Sequence, residues 1–129
     1  MHALVELVRI YECLCDRTRL RIVNLLLEGP LCVCHFQRIL REPQVKISKH
    51  LAYLRSHRLV EVEQEANWRI YRLPAKPTRA LQANLDCLRD CATDDSIFAR
   101  DLARRKTLLA DLGDDAPTCC AQPAMLSRL

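Results

Sequence analysis

The most constraining stretch runs from Pro30 to Leu73. Two short apolar patterns of helical period, Phe36, Ile39 and Leu40, then Ile47, Leu51 and Leu54, are separated by Glu42-Pro43-Gln44. The residue before a proline is pushed out of helical geometry, so the break must be a turn. The period then drops to two. Leu59-Val60-Glu61-Val62-Glu63 alternates, Ala66-Asn67 reads as a turn, and Trp68-Arg69-Ile70-Tyr71-Arg72-Leu73 is rich in strand formers, closed by Pro74. Helix, brief turn, helix and hairpin in this order make a winged helix-turn-helix, whose second helix enters the major groove of DNA.

Around this unit, Leu4, Leu7, Val8, Tyr11 and Leu14 repeat at helical spacing, as do Leu20, Val23, Leu26 and Leu27, and Asp16 can cap the second helix. Gly29-Pro30 ends one helix and starts the next. After Pro77, Leu81, Leu85 and Leu88 mark a fifth helix, and Ile97, Phe98, Leu102, Leu109 and Leu112 a sixth. The fold class is mainly α with a small β-hairpin: four helices, the hairpin, a fifth helix and a further C-terminal helix. Residues 1–112 are expected to form one DNA-binding and dimerisation domain, and 113–129, with Pro117 and Pro123, a flexible cysteine-containing tail.

At 129 residues, with 5% aromatics and two glycines, the chain suits one largely helical domain. It shows neither a leader pattern nor an uncharged apolar run long enough to span a bilayer, so a cytoplasmic protein with no membrane association is expected. No serine–histidine–acid arrangement or phosphate-binding glycine loop points to an enzyme. The net charge of +4 is uneven. Between Arg41 and Arg58 the chain carries Arg41, Lys46, Lys49, Arg55 and Arg58 against Glu42 alone, whereas from Asp86 to Asp115 aspartate prevails. The first segment is built to meet a polyanion and the second is not.

On the fourth helix, expected from Val45 to His57, the buried stripe leaves Lys46, Ser48, Lys49, His50, Tyr53 and Arg55 on other faces. Ser48 and His50 can exchange hydrogen bonds with base edges, and Lys46 and Lys49 can pair with phosphates. Val45 to Leu73, "VKISKHLAYLRSHRLVEVEQEANWRIYRL", resembles the recognition helix and wing of the ArsR/SmtB family of metal-responsive repressors. Asp16-Arg17-Thr18-Arg19-Leu20-Arg21-Ile22 resembles that family's second helix, and Leu31-Cys32-Val33-Cys34 its metalloid-site motif. The resemblance spans roughly residues 5 to 90. It implies a homodimer held by the first and fifth helices, bound to double-stranded operator DNA at an imperfect inverted repeat and released by an inducer. Arg58 stands where the family usually has glycine, and a left-handed turn kept there costs about 1–2 kcal/mol. The wing carries Glu63 and Glu65 where basic residues would help, with Arg69 and Arg72 to compensate.

Eight cysteines in a reducing compartment favour metal or metalloid ligation over disulfides. A thiol at a helix N-terminus leans toward thiolate, so Cys32 and Cys34 are candidate ligands for a soft ion. Residues two apart on a helix point about 200° apart, so shared ligation should distort the first turn of the third helix. That strain could reach the recognition helix through the short Arg41 to Gln44 linker, and a coupling of about 1–3 kcal/mol would weaken DNA binding about 5- to 150-fold.

The resemblance implies trivalent arsenic or antimony, As(III) or Sb(III), as inducer, held by three thiolates. The third usual position is Gln37 here, which leaves Cys119 or Cys120 from the tail, or Cys13 or Cys15. The tail pair is favoured for arsenite, whereas Cys13 with Cys15 would make a four-thiolate site for Cd(II) or Pb(II). His35, where the family often has aspartate, is expected beside the ligands or in solvent rather than as a ligand. Cys87 and Cys91 share one face of the fifth helix and serve either packing, in the core or at an interface, or a second ligand set. Two alternatives remain: a redox-sensing repressor using Cys32 or Cys34, and a metal-sequestering protein without DNA binding.

Overall fold

Asp16 divides the N-terminal apolar run in two. In the computed structural model, which describes residues 2–65 and 68–112, it ends α1 (His2–Leu14) and caps α2 (Arg17–Leu26) by accepting the Arg19 N–H at 3.0 Å. β1 (Leu31–Cys32) leads into α3 (Val33–Leu40), and α4 (Gln44–Ser56) follows the turn. β2 (Glu61–Glu65) and β3 (Trp68–Arg72) form the wing, and α5 (Arg79–Ala92) and α6 (Ser96–Leu112) follow. The Ala66-Asn67 turn and the tail lie outside the described residues.

The wing is larger than its hairpin pattern suggests. The sheet order is β1-β3-β2, all antiparallel, with Leu31 opposite Tyr71 and Cys32 opposite Ile70. A two-residue strand is too short to show alternation in sequence, and Cys32 reads there as the start of a helix.

α3 and α4 pack through Phe36, Ile39 and Leu40 against Ile47, Leu51 and Leu54, all buried. A fully buried side chain of this size contributes about 1.5–3 kcal/mol, so this seam holds α4 to the rest of the domain. α1 is turned differently from its sequence stripe. Ile10 and Cys13 enter the core, while Leu4 (70% exposed), Val5 (67%), Val8 (48%) and Tyr11 (53%) face out. α6 lies across α2 and α3. It is tied there by Asp101, wholly buried, whose carboxylate accepts two hydrogen bonds from Arg21 at 2.7 and 2.9 Å.

Among the described residues, two other than glycine adopt left-handed backbone. Arg58 follows α4 at φ +64°, so the turn expected there is kept despite the missing glycine. Arg41 caps α3 at φ +57°, with its N–H donating to Gln37 O at 2.8 Å.

Candidate DNA-reading face and thiol site

The first turns of α4 are open on one side because the apolar stripe sinks the other. Lys49 and Arg55 are exposed, Ser48 is half-buried, and Lys46 is 45% exposed with an ion pair to Glu42 at 3.2 Å. His50, expected among the base-reading groups, is held inward and its side chain is 16% exposed. Its Nδ1 lies 3.3 Å from Arg19 Nη1 and its Nε2 4.0 Å from Asp16 Oδ1. A guanidinium only donates, so Nδ1 accepts and the neutral ring carries its proton toward Asp16. Burial lowers the His50 pKa from its ordinary 6.5, against the opposing pull of Asp16. Burial would raise the Asp16 pKa, but the Arg19 N–H and the neighbouring His50 and Arg19 outweigh it and hold the carboxyl below its usual 3.8.

Tyr53 is also engaged on both ring faces. The Arg19 guanidinium sits 4.2 Å from its centroid, and His57 stacks on it at 4.2 Å and 20°. Arg19 further donates to the carbonyls of Cys13 at 2.7 Å and Glu12 at 3.2 Å. It thus joins the C-terminal end of α1 to the recognition helix through backbone acceptors, an imidazole and an aromatic face. Arg9 reinforces the joint from α1 by donating to His57 O. Sequence reasoning matched Arg19 to a motif without a role, since its partners lie 31 and 34 positions away.

On the wing, Arg69 is exposed opposite Gln64. Arg72 does not compensate for the acidic residues as expected, because Glu63 at 2.7 Å and Glu61 at 3.7 Å take its guanidinium.

The thiol site sits where β1 becomes α3. Cys32 is extended (φ −102°, ψ 170°) and is the N-cap of the helix that Cys34 occupies. The two sulfurs are therefore already 3.3 Å apart, and the distortion expected for two cysteines on one helix is not needed. His35 is fully buried rather than in solvent. Its Nδ1 accepts the Cys32 N–H at 3.2 Å and lies 3.4 Å from Cys32 Sγ. Among the described residues no group of three or more histidines, cysteines or carboxylates is placed to hold a metal ion.

Cys13 is wholly buried, and burial pushes its thiol up to about 11, so it is protonated at neutral pH. Cys15 is exposed. Cys119 and Cys120 lie outside the described residues. Cys87 and Cys91 are exposed on α5, away from its core face of Leu81, Leu85, Leu88 and Ala92, so they do not pack in this chain's own core. The neighbouring Cys87 raises the Cys91 pKa. No helix among the described residues is long and apolar enough to cross a membrane.

Residues 16–62 match the family described as "Bacterial regulatory protein, arsR family". The chain is 33% identical over 115 residues to the arsenic resistance transcriptional regulator ArsR1 of Pseudomonas putida, an alignment covering 87% of this chain and 85% of that protein. It is 45% identical over 67 residues to the arsenical resistance operon repressor of Escherichia coli K12, covering 51% and 57% respectively. Among solved structures, reduced HlyU from Vibrio cholerae aligns with a TM-score of 0.62 at 27% identity, covering 70% of this chain and 92% of that one.

Proposed function

Because the chain belongs to the ArsR family of DNA-binding transcriptional regulators, we propose that it is a cytoplasmic repressor that binds operator DNA as a homodimer and leaves it when Cys32 and Cys34 take up trivalent arsenic or antimony. The observation that carries the inducer half is the 3.3 Å approach of the two sulfurs across a strand-to-helix boundary. Two thiols prepositioned for one soft ion lose little conformational freedom on binding it. The exposed α1 face of Leu4, Val5, Val8 and Tyr11 supports a homodimer, since a second copy could cover it.

Lys46, Lys49, Arg55 and Arg69 supply phosphate contacts and Ser48 a base-edge contact. His50 and Tyr53 act from inside, holding α4 in register through Arg19. A bound ion ties β1 to the start of α3, and Phe36, Ile39 and Leu40, packed against the core face of α4, carry the resulting change in the seating of α3 to that helix. A third thiolate from Cys119 or Cys120 completes the arsenic site, consistent with α6, which precedes the tail, lying on α3. The raised Cys13 thiol disfavours the four-thiolate alternative for cadmium or lead.

The test is fluorescence anisotropy of the reduced protein on DNA from upstream of its own gene, titrated in parallel with arsenite and cadmium. Cys32→Ser and Cys34→Ser should bind the operator normally and fail to release it, and normal release from both would refute the site. The same sulfur approach favours one second reading, a redox switch. Peroxide would take two electrons and two protons from the thiols to give a disulfide and two waters, and release would then need no metal and reverse with reductant.

A further inference from the structure

The acidic C-terminal third hides a basic face. Arg100 and Arg104 lie one turn apart on α6 and so share a side of that helix. The packing of α6 on α3 brings them to Arg38 and Arg41, at the end of α3, and the four arginines line a cavity of about 360 Å³. Asp111 is the one carboxylate among its described lining residues. Asp101, adjacent in sequence, is paired chiefly with Arg21 and reaches Arg100 only at long range. It is turned into the core, where Arg21 takes both oxygens, and Arg100 approaches no closer than 3.9 Å. Arg104 donates to Ile39 O at 3.1 Å. Burial lowers its pKa, as do the nearby Arg41, Arg100 and Arg21, against the opposing pull of Asp101. Like charges gathered at such range call for an anion.

The position of the cluster indicates which one. Arg41 lies two residues before Pro43, the N-cap of α4, so the cavity adjoins the turn that leads into the recognition helix. Arg41 also keeps left-handed backbone at a helix end where glycine is the usual occupant. DNA that receives the first turns of α4 in its major groove runs its sugar-phosphate backbone past this turn.

We propose that Arg38, Arg41, Arg100 and Arg104 hold a backbone phosphate of the DNA flanking the site read by α4, which makes α6 part of the DNA-binding surface. The inference rests on the operator-binding reading above. Inorganic phosphate shares the same chemistry and is separated by the test.

The experiment measures anisotropy of the full chain on two duplexes, one trimmed to the operator and one with about one helical turn, 10 base pairs, of flank on each side. Wild type is compared with Arg100→Gln and Arg41→Gly between 50 and 200 mM salt. Arg41→Gly removes the charge at a backbone that glycine accepts freely, so loss of fold does not confuse the result. On the long duplex each variant should lower the log–log salt slope by about 0.9 per lost contact. The wild-type advantage then grows about 3.5-fold per contact as salt falls from 200 to 50 mM. On the trimmed duplex the variants should match wild type.

Unchanged slopes on the long duplex, or equal losses on both duplexes, would overturn the proposal. So would millimolar inorganic phosphate binding by calorimetry that the variants lose while their slopes stay at the wild-type value. A wild type that binds neither duplex would instead sink the repressor reading and this proposal with it.

Discussion

Replacing Asp101 with alanine should cost about 3 kcal/mol of folding stability. The Asp101 side chain is wholly buried and that of Arg21 is 16% exposed, with two short hydrogen bonds between them. A surface ion pair would contribute about 0–1 kcal/mol, whereas removing one partner of a buried pair costs about 3–5. The residual exposure of Arg21 lets water reach the stranded guanidinium, which puts the loss at the lower end. In a domain of this size that lowers Tm by roughly 10 °C. Urea unfolding followed by circular dichroism should show the midpoint fall with the slope unchanged, as for a cooperative unit that includes α6. The pair Arg21→Met with Asp101→Leu should recover most of the loss, because apolar groups of similar volume can replace a buried ion pair. A cost below about 1 kcal/mol for Asp101→Ala would show that the pair does not hold α6 down. A reduced urea slope would show that α6 unfolds separately.

Arg58→Gly should stabilise the fold by about 0.5–1 kcal/mol, because the left-handed backbone at φ +64° strains any residue with a Cβ; a lower melting temperature would refute this. The depressed pKa of His50 means that the unfolded chain binds a proton the folded ring refuses. Its contribution is therefore complete above the ordinary value of 6.5 and is lost as pH falls below it. Urea midpoints between pH 7.5 and 5 should fall more steeply for wild type than for His50→Gln, and parallel profiles would contradict the burial argument. Arg19→Met should weaken operator binding while leaving arsenite uptake intact, measured by anisotropy and by thiol titration. An operator affinity equal to wild type would remove Arg19 from the path between α1 and α4.

The helix-turn-helix and wing were legible because their signals are local: a proline break, two stripes of period 3.6 and one of period two. The pairing of β1 with β3 was not, since it joins residues 40 and 38 positions apart and β1 spans two residues. Cys32 was assigned to a helix for that reason, and the geometry of the thiol pair followed wrongly from that assignment. His50 shows a different gap. Its place on the helix was read correctly, but the direction of its side chain is set by Asp16 and Arg19 on another helix. The α1 stripe located its helix but left the core face open. Periodicity shows that a helix has an apolar face, not which of two such faces meets the core, and here Ile10 and Cys13 do. The arginine cluster was masked because a segment's net charge averages over faces that folding separates.

The extended backbone of Cys32 also sets how many parts of the molecule a ligand bound there, as proposed, would address. Through its main chain this residue is paired opposite Ile70 of the wing, and through its side chain it touches Cys34 of the helix-turn-helix. A tug on one sulfur therefore loads two levers at once: the sheet that aims the wing and the helix that seats α4. If the proposed capture at Cys32 is right, release from DNA would not wait for one motion to spread across the domain, because this residue is a hinge pin common to both.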